Sequence, residues 1–245
     1  MIENQAMSLP GSLHIAIEKE VTLWRESSNV HRLWAKDARL WTGGGEANGL
    51  GWLDIVSAWS TRLHTLDFVR DFVGQGQFTD ALLLGMGGSS LCAHVLAKSF
   101  PEQEGFPSLQ ILDSIDPAQV RRVRDGLHLD RCLFVVSSKT GNTLETITNL
   151  NTLKINRNCI FITENKNNYL RKIAEKIKCE IIEHKNYIGG RYSVLSEVGM
   201  LPAELMGLNE KKFKQFNYLI NNKIFINNLI NNVEGILECI KKGKT

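Results

Sequence analysis

Apolar residues recur at helical spacing in the first part of the chain. Leu13, Ile17 and Val21 lie four residues apart, and this spacing predicts an amphipathic helix. A second stretch with the same kind of spacing covers residues 53–73 and ends at a glycine pair. The two stretches together predict an N-terminal helical segment over residues 1–78.

The pattern changes after this segment, because short apolar runs now alternate with amphipathic stretches. Continuous apolar runs separated by helices are typical of a parallel sheet that is covered on both faces. The sequence therefore predicts an α/β fold over residues 79–207, with a five-stranded parallel sheet sandwiched by helices. The five runs are Ala81–Leu84, Leu109–Leu112, Cys132–Val136, Cys159–Ile162 and Glu180–Ile182.

The last part of the chain, residues 208–245, is rich in Asn, Lys and Ile. Its apolar positions share one face of a helix, which predicts a helical C-terminal extension that packs against another element. These positions are Ile226, Leu229, Ile230, Val233, Ile236, Leu237 and Ile240.

The composition narrows the functional classes. A formal net charge of +3 over 245 residues gives no case for binding to nucleic acid or to a membrane surface. No apolar stretch reaches membrane-spanning length, and the N-terminus lacks the pattern of a signal peptide. The five cysteines form no CxxC pair, so we expect buried free thiols and no metal site. These features predict a soluble cytoplasmic protein.

A glycine-rich loop, Gly85–Ser90, follows the first predicted strand and precedes a helix. Glycines let a ligand approach the backbone, and the N–H groups at a helix N-terminus favour an anion. The loop departs from the GxGxxG pattern of dinucleotide-binding proteins because Ser90 takes the last position. Asp113, at the end of the next strand, keeps a dinucleotide site open as an alternative, and a tight turn without a ligand is another.

A loop rich in hydroxyl groups follows the third predicted strand. Ser137, Ser138, Thr140 and Thr143 lie within seven positions at the start of a helix. Hydroxyl and backbone N–H groups can donate hydrogen bonds to phosphate oxygens, so this loop predicts a phosphate site. Capping is a compatible alternative that uses one or two donors, with Asn142 as the N-cap and Glu145 completing a capping box. The Lys139 side chain is either a charge partner or solvated.

A third feature, Gly189-Gly190-Arg191, follows the last predicted strand. Two glycines bring the backbone close, and an arginine can stabilise an oxyanion or a phosphate. A surface arginine in a turn is the alternative, so this tripeptide indicates a binding site only in combination with the other two loops.

In combination and in this order, these features resemble the glucose-6-phosphate isomerase (phosphoglucose isomerase) family, which has the sugar isomerase (SIS) fold. The matching stretches are Leu84–Leu91, Asp113–Pro117, Ser138–Thr146 and Gly189–Ser193. A further stretch, from Leu33–Asp37 through Gly51–Leu53, is similar to the isomerase half of bacterial transaldolase–isomerase fusions.

The resemblance implies interconversion of glucose 6-phosphate and fructose 6-phosphate, without a metal or an organic cofactor. It implies that Arg191 stabilises the negative charge of a cis-enediolate intermediate, and that a homodimer is the expected assembly. It also implies that the substrate phosphate is held by Ser138, Thr140, Thr143 and the backbone of Lys139. Gly88 and Ser89 are implied to line the sugar.

The family's glutamate general base, and the histidine and lysine that assist ring opening, belong to a second SIS subdomain that follows the Gly-Gly-Arg loop. Glu210, Glu234 and Glu238 lack the family's motif around them. We therefore expect a partial chain that binds sugar phosphates and isomerises them poorly or not at all. A non-catalytic sugar-phosphate-binding module and a nucleotide-dependent enzyme are the alternatives.

Overall fold

The computed structural model describes residues 10–55, 71, 73–74, 78–213 and 217–243. The chain divides into two compact units, residues 1–47 together with 214–245, and residues 48–213. Most of the helix predicted over residues 53–73 lies outside the described residues. The predicted division at residues 78 and 207 stays a prediction.

The second unit contains a five-stranded sheet in the order β2-β1-β3-β4-β5. Every neighbouring pair is parallel, which confirms the α/β fold predicted from the apolar runs. The middle strands β1, β3 and β4 are buried at every position except Asp80, because helices cover both faces of the sheet. The strands are β1 Asp80–Gly85, β2 Ser108–Leu112, β3 Cys132–Ser137, β4 Cys159–Thr163 and β5 Glu180–Glu183.

Alternate residues of the strands face two separate apolar cores, as the two-residue period of a strand requires. On one face, Val136 and Phe161 pack in a core with Leu150 and Leu170 of two covering helices. On the other face, the neighbouring strand positions pack with Leu201. Among the described residues of this unit, the α-helices are α3 Leu91–Ser99, α4 Pro117–Asp125, α5 Leu144–Thr152, α6 Tyr169–Ile177, α7 Glu197–Leu205 and α8 Glu210–Phe213.

Helix α7 was not expected from the sequence. All nine of its residues are buried, including Glu197 and Glu204, so it lacks the exposed polar face that makes a helix visible as a periodic pattern. Pro202 within it and Gly199 near its start also argue against a helix on propensity alone. The glycine is needed for packing, because a Cβ there would lie 2.0 Å from the carbonyl oxygen of Val194.

The first unit contains α1 Gly11–Glu26, α2 Asn29–Trp34 and α9 Lys223–Lys241. Ile17 and Val21 pack against Ile230. The predicted C-terminal helix is therefore present, but its packed face is narrower than its apolar pattern suggested. The following predicted packing positions are exposed within this unit: Leu229, Val233, Ile236, Leu237 and Ile240. Among the residues that the structure describes, no helix is long and apolar enough to cross a membrane.

Candidate functional site

The site lies at the carboxyl edge of the sheet, where β1 and β3 are neighbours. The chain leaves β1 towards β2 on one side and then crosses to β3 on the other. The connections after β1 and β3 therefore diverge and leave a crevice, which is where open parallel sheets bind ligands. The glycine loop, Gly85–Ser90, follows β1, and the hydroxyl loop, Ser137–Thr143, follows β3. The fold therefore places the two predicted loops on either side of this crevice.

The hydroxyl loop is closed by bonds among its own residues. The hydroxyls of Ser138 and Thr143 are 2.8 Å apart, and the backbone N–H of Gly141 donates to Ser138 Oγ at 3.1 Å. Gly141 has a φ of +67°, a conformation that favours glycine. The loop therefore holds Ser138 and Thr143 side by side, with Thr140 exposed at its tip.

The start of α5 differs from the predicted capping box. The N-cap residue is Thr143, not Asn142, and its side chain makes no capping bond. Asn142 Oδ1 instead accepts a hydrogen bond from the backbone N–H of Tyr169, at the start of α6, at 3.1 Å. The α5 N-terminus thus keeps backbone donors and a positive dipole end beside the Ser138–Thr143 hydroxyl pair, an arrangement suited to an anion.

The glycine loop packs directly on the Gly-Gly-Arg loop. A Cβ on Gly88 would lie only 2.2 Å from the carbonyl oxygen of Gly190, so no larger residue fits there without movement. The same loop meets the hydroxyl loop, because Gly85 pairs with Ser137 at the ends of β1 and β3. Ser89 is half-buried at this junction.

Arg191 is exposed and lies in a short 3-10 turn, Gly190–Tyr192. The turn is fixed on both sides of the arginine. Ser193 Oγ donates to the Gly190 carbonyl at 2.7 Å, and the ring of Tyr192 stacks on Trp52 with the centroids 5.1 Å apart. The guanidinium is therefore presented from a fixed backbone.

The Lys139 side chain has a role that the sequence did not suggest. Its ammonium donates to the carbonyls of Ile188 at 2.8 Å and Asn186 at 3.0 Å, and it lies 3.7 Å from a carboxylate oxygen of Glu164. These partners connect the hydroxyl loop to the segment just before Gly189. All three predicted loops are therefore in mutual contact.

Sequence reasoning missed Trp52, Glu164 and Asn168 as structural parts of this edge. Asn168 caps α6 by accepting from the N–H of Arg171 at 2.9 Å, and its side chain fills the space beside Gly141. The available signal was position, since Glu164 follows β4 directly and Asn168 precedes the next helix, at the edge where ligands bind.

The alternative dinucleotide site is predicted from one acidic residue, and the structure gives that residue a partner. Asp113, the residue that kept a dinucleotide site open, has its Oδ2 3.1 Å from Nε2 of His94. Within the described part of the chain, no cluster of three or more His, Cys, Asp or Glu side chains is arranged to hold a metal ion.

The parallel sheet, its two covering layers of helices and the loops at the switch between β1 and β3 define a doubly wound α/β protein. Residues 68–230, about two thirds of the chain, match the family model described as phosphoglucose isomerase. The chain therefore belongs to the phosphoglucose isomerase family.

Curated relatives support this assignment at low identity. The chain is 28% identical over 203 residues to a glucose-6-phosphate isomerase of Campylobacter jejuni, a match that covers 78% of this chain and 48% of the relative. It is 28% identical over 172 residues to the corresponding enzyme of Prochlorococcus marinus, covering 66% of this chain and 33% of the relative. The chain thus spans between a third and a half of the length of these relatives.

Two solved structures share the fold. A hypothetical protein from Thermus thermophilus superposes with a TM-score of 0.71 at 24% identity, covering 93% of this chain and 56% of that one. A glucose-6-phosphate isomerase from Chlamydia trachomatis superposes with a TM-score of 0.54 at 21% identity, covering 78% and 38%. The similarity to transaldolase–isomerase fusions stays a prediction.

Proposed function

We propose that this chain forms the sugar-phosphate-binding part of a glucose-6-phosphate isomerase, which interconverts glucose 6-phosphate and fructose 6-phosphate. The observation that carries the proposal is the mutual contact of three loops at one edge of the sheet. A hydroxyl loop suited to phosphate, a glycine loop that admits a close ligand and an arginine turn lie together where the strand order reverses.

In this proposal the phosphate binds at the N-terminus of α5. Ser138, Thr140 and Thr143 donate from their hydroxyls, and the Lys139 backbone contributes its N–H. The partial positive charge of the helix end stabilises the phosphate without a lysine or arginine in direct contact. A phosphate held at this end fixes the distance from the hydroxyl loop to the reacting carbons of a six-carbon sugar.

The sugar end of the substrate then lies towards Gly88, Ser89 and Arg191. Aldose–ketose conversion moves a proton between C1 and C2 and places negative charge on an enediolate oxygen. A guanidinium presented from a fixed turn stabilises that charge as it develops. The residue that moves the proton is not assigned in this chain, so we expect binding with little or no turnover.

Calorimetric titration tests the binding part. Fructose 6-phosphate and 6-phosphogluconate are expected to bind, whereas unphosphorylated fructose is expected to bind far more weakly. NAD serves as the probe for the dinucleotide alternative, and binding of NAD alone would overturn the proposal. A coupled assay that starts from fructose 6-phosphate measures turnover, and robust turnover by this chain would show that a general base has been missed.

A non-catalytic sugar-phosphate-binding module is the second candidate. Any measurable turnover would exclude this candidate, whereas sugar-phosphate binding without turnover is expected of both. A cytoplasmic location and a homodimer remain predictions for either function.

A further inference from the structure

The ammonium of Lys139 makes two hydrogen bonds and one longer ion pair within the protein. An ammonium has three donors and no acceptor, and here three protein oxygens surround it. Two are backbone carbonyls, of Asn186 and Ile188, and the third is Oε1 of Glu164. A lysine in a phosphate loop would ordinarily be assigned to the phosphate, but this one has its donors turned towards the neighbouring loop.

The backbone of Lys139 is fixed at the same time. Its carbonyl accepts from the backbone N–H of Glu164 at 3.0 Å, at the end of β4. The Glu164 side chain is only 9% exposed and is balanced by two lysines, Lys139 and the more exposed Lys166. Lys139 is thereby held at its carbonyl and at its ammonium. Its side chain therefore acts as a rigid connection between the hydroxyl loop and the segment that contains Asn186 and Ile188.

The segment that this connection reaches leads directly into the arginine turn. Ile188 is fully buried, and its carbonyl, which accepts from Lys139, precedes Gly189. The N–H of Tyr192 donates to the Gly189 carbonyl at 2.9 Å, and the N–H of Gly189 donates to the carbonyl of Gly49 at 3.3 Å. Displacing the Ile188 carbonyl would therefore displace Arg191, which lies three residues further along the chain.

We propose that Lys139 is a positioning residue, which acts through Arg191. Its backbone belongs to the hydroxyl loop, and its ammonium sets where Arg191 stands relative to that loop. One residue thus fixes the span between the phosphate end and the sugar end of the bound ligand. This inference rests on the proposed function, because the span matters only for a ligand that reaches both ends.

The test compares two probes in the full chain. Inorganic phosphate reaches only the hydroxyl loop, whereas 6-phosphogluconate carries a second anionic group towards Arg191. Lys139→Met removes the donors and keeps an unbranched side chain that is one atom shorter. It is expected to weaken 6-phosphogluconate binding by about tenfold, the effect of one charged hydrogen bond misplaced, and to change phosphate binding less than about twofold.

Two variants serve as controls. Lys166→Met removes the other lysine bound to Glu164 but leaves the two loop carbonyls bonded, so both affinities are expected to stay unchanged. In an Arg191→Ala background, Lys139→Met is expected to have no further effect, because the residue through which it acts is gone. Lys139→Arg, which keeps donors at this position, is expected to recover part of the lost affinity.

Amide hydrogen exchange provides a readout that needs no ligand. Lys139→Met is expected to speed exchange at Ile188, Gly189 and Tyr192, whereas Lys166→Met is not. The positioning role would be overturned if Lys139→Met weakened the binding of both probes equally, or if its effect on affinity added to that of Arg191→Ala. If the unaltered chain binds no 6-phosphogluconate, the proposed function is wrong, and unchanged exchange in Lys139→Met would separately show that the connection is wrong.

Discussion

Gly88 lies against the backbone of Gly190, so closely that a Cβ at residue 88 would come within 2.2 Å of the Gly190 carbonyl oxygen. The contact joins the loop after β1 to the loop after β5, two segments about a hundred residues apart in the sequence. Since both loops carry residues proposed to contact the sugar, their separation sets the width of the site.

Gly88→Ala is expected to push the arginine turn away from the glycine loop. Backbone atoms cannot yield as a flexible side chain can, so we expect a stability loss of about 1–3 kcal/mol and weaker binding of 6-phosphogluconate. Gly190→Ala is the matched control, because a Cβ there meets nothing within 4 Å. Urea unfolding and calorimetry measure the two effects, and identical behaviour of the two variants would contradict the close contact.

Removal of hydroxyls from the hydroxyl loop is expected to weaken phosphate binding selectively. Thr140→Ala combined with Thr143→Ala takes away two donors, each worth about 1.5–3 kcal/mol towards a charged ligand. Binding of inorganic phosphate and of fructose 6-phosphate should both fall by more than about tenfold, while fructose binds as poorly as before.

Thr152→Ala, an exposed position at the other end of α5, is the control for this double variant. Calorimetry with the same three ligands compares the proteins. If the double variant binds phosphate as well as the Thr152→Ala protein does, the hydroxyl loop is a structural turn and not a phosphate site.

Gly141→Ala is expected to destabilise the second unit by more than a strained φ alone would. Gly141 has a φ of +67°, and its Cβ would come 2.0 Å from Oδ1 of Asn168, the residue that caps α6. Gly105→Ala isolates the backbone strain, since Gly105 has a φ of +84° with nothing within 4 Å. We expect a loss of about 1–2 kcal/mol for Gly105→Ala and a clearly larger one for Gly141→Ala, measured by urea unfolding.

Alkaline pH is expected to destabilise the fold through its buried thiols. Burial raises the pKa of Cys132, at the start of β3, from 9.0 to about 12. Between these two values the unfolded chain has lost the thiol proton and the folded chain has kept it. The folded state then binds more protons, so the free energy of unfolding falls as the pH rises through this window.

Cys132→Val removes the ionisable group and keeps an apolar side chain of similar size. Between about pH 9 and pH 11, its free energy of unfolding is expected to fall less steeply than that of the unaltered chain, by up to about 1.4 kcal/mol per pH unit. Urea unfolding at several pH values gives both slopes. Equal slopes would show that Cys132 does not carry this dependence. Burial also raises the pKa of Cys159, so part of the decline should persist.

The positions of the strands could be predicted closely because each strand coincides with a short, mostly apolar run in the sequence. The five runs agree with the observed strands to within a residue at each end. The central strands β1, β3 and β4 are buried on both faces and are therefore largely apolar. Helix α7 could not be predicted, because a helix buried on all sides has no periodic polar face. The apolar stripe of α9 predicted a helix correctly but overstated its packed face, because only the tertiary fold decides which apolar residues find partners.

The sequence by itself determined which chemical groups follow each strand: glycines after β1, hydroxyls after β3, and an arginine after β5. Only the tertiary structure decided that these groups meet, because strand order is set by packing between distant segments and not by local pattern. The same holds for the ammonium of Lys139. Its charge is plain in the sequence, but its direction depends on the carbonyls of Asn186 and Ile188, which the fold brings to it from almost fifty residues away.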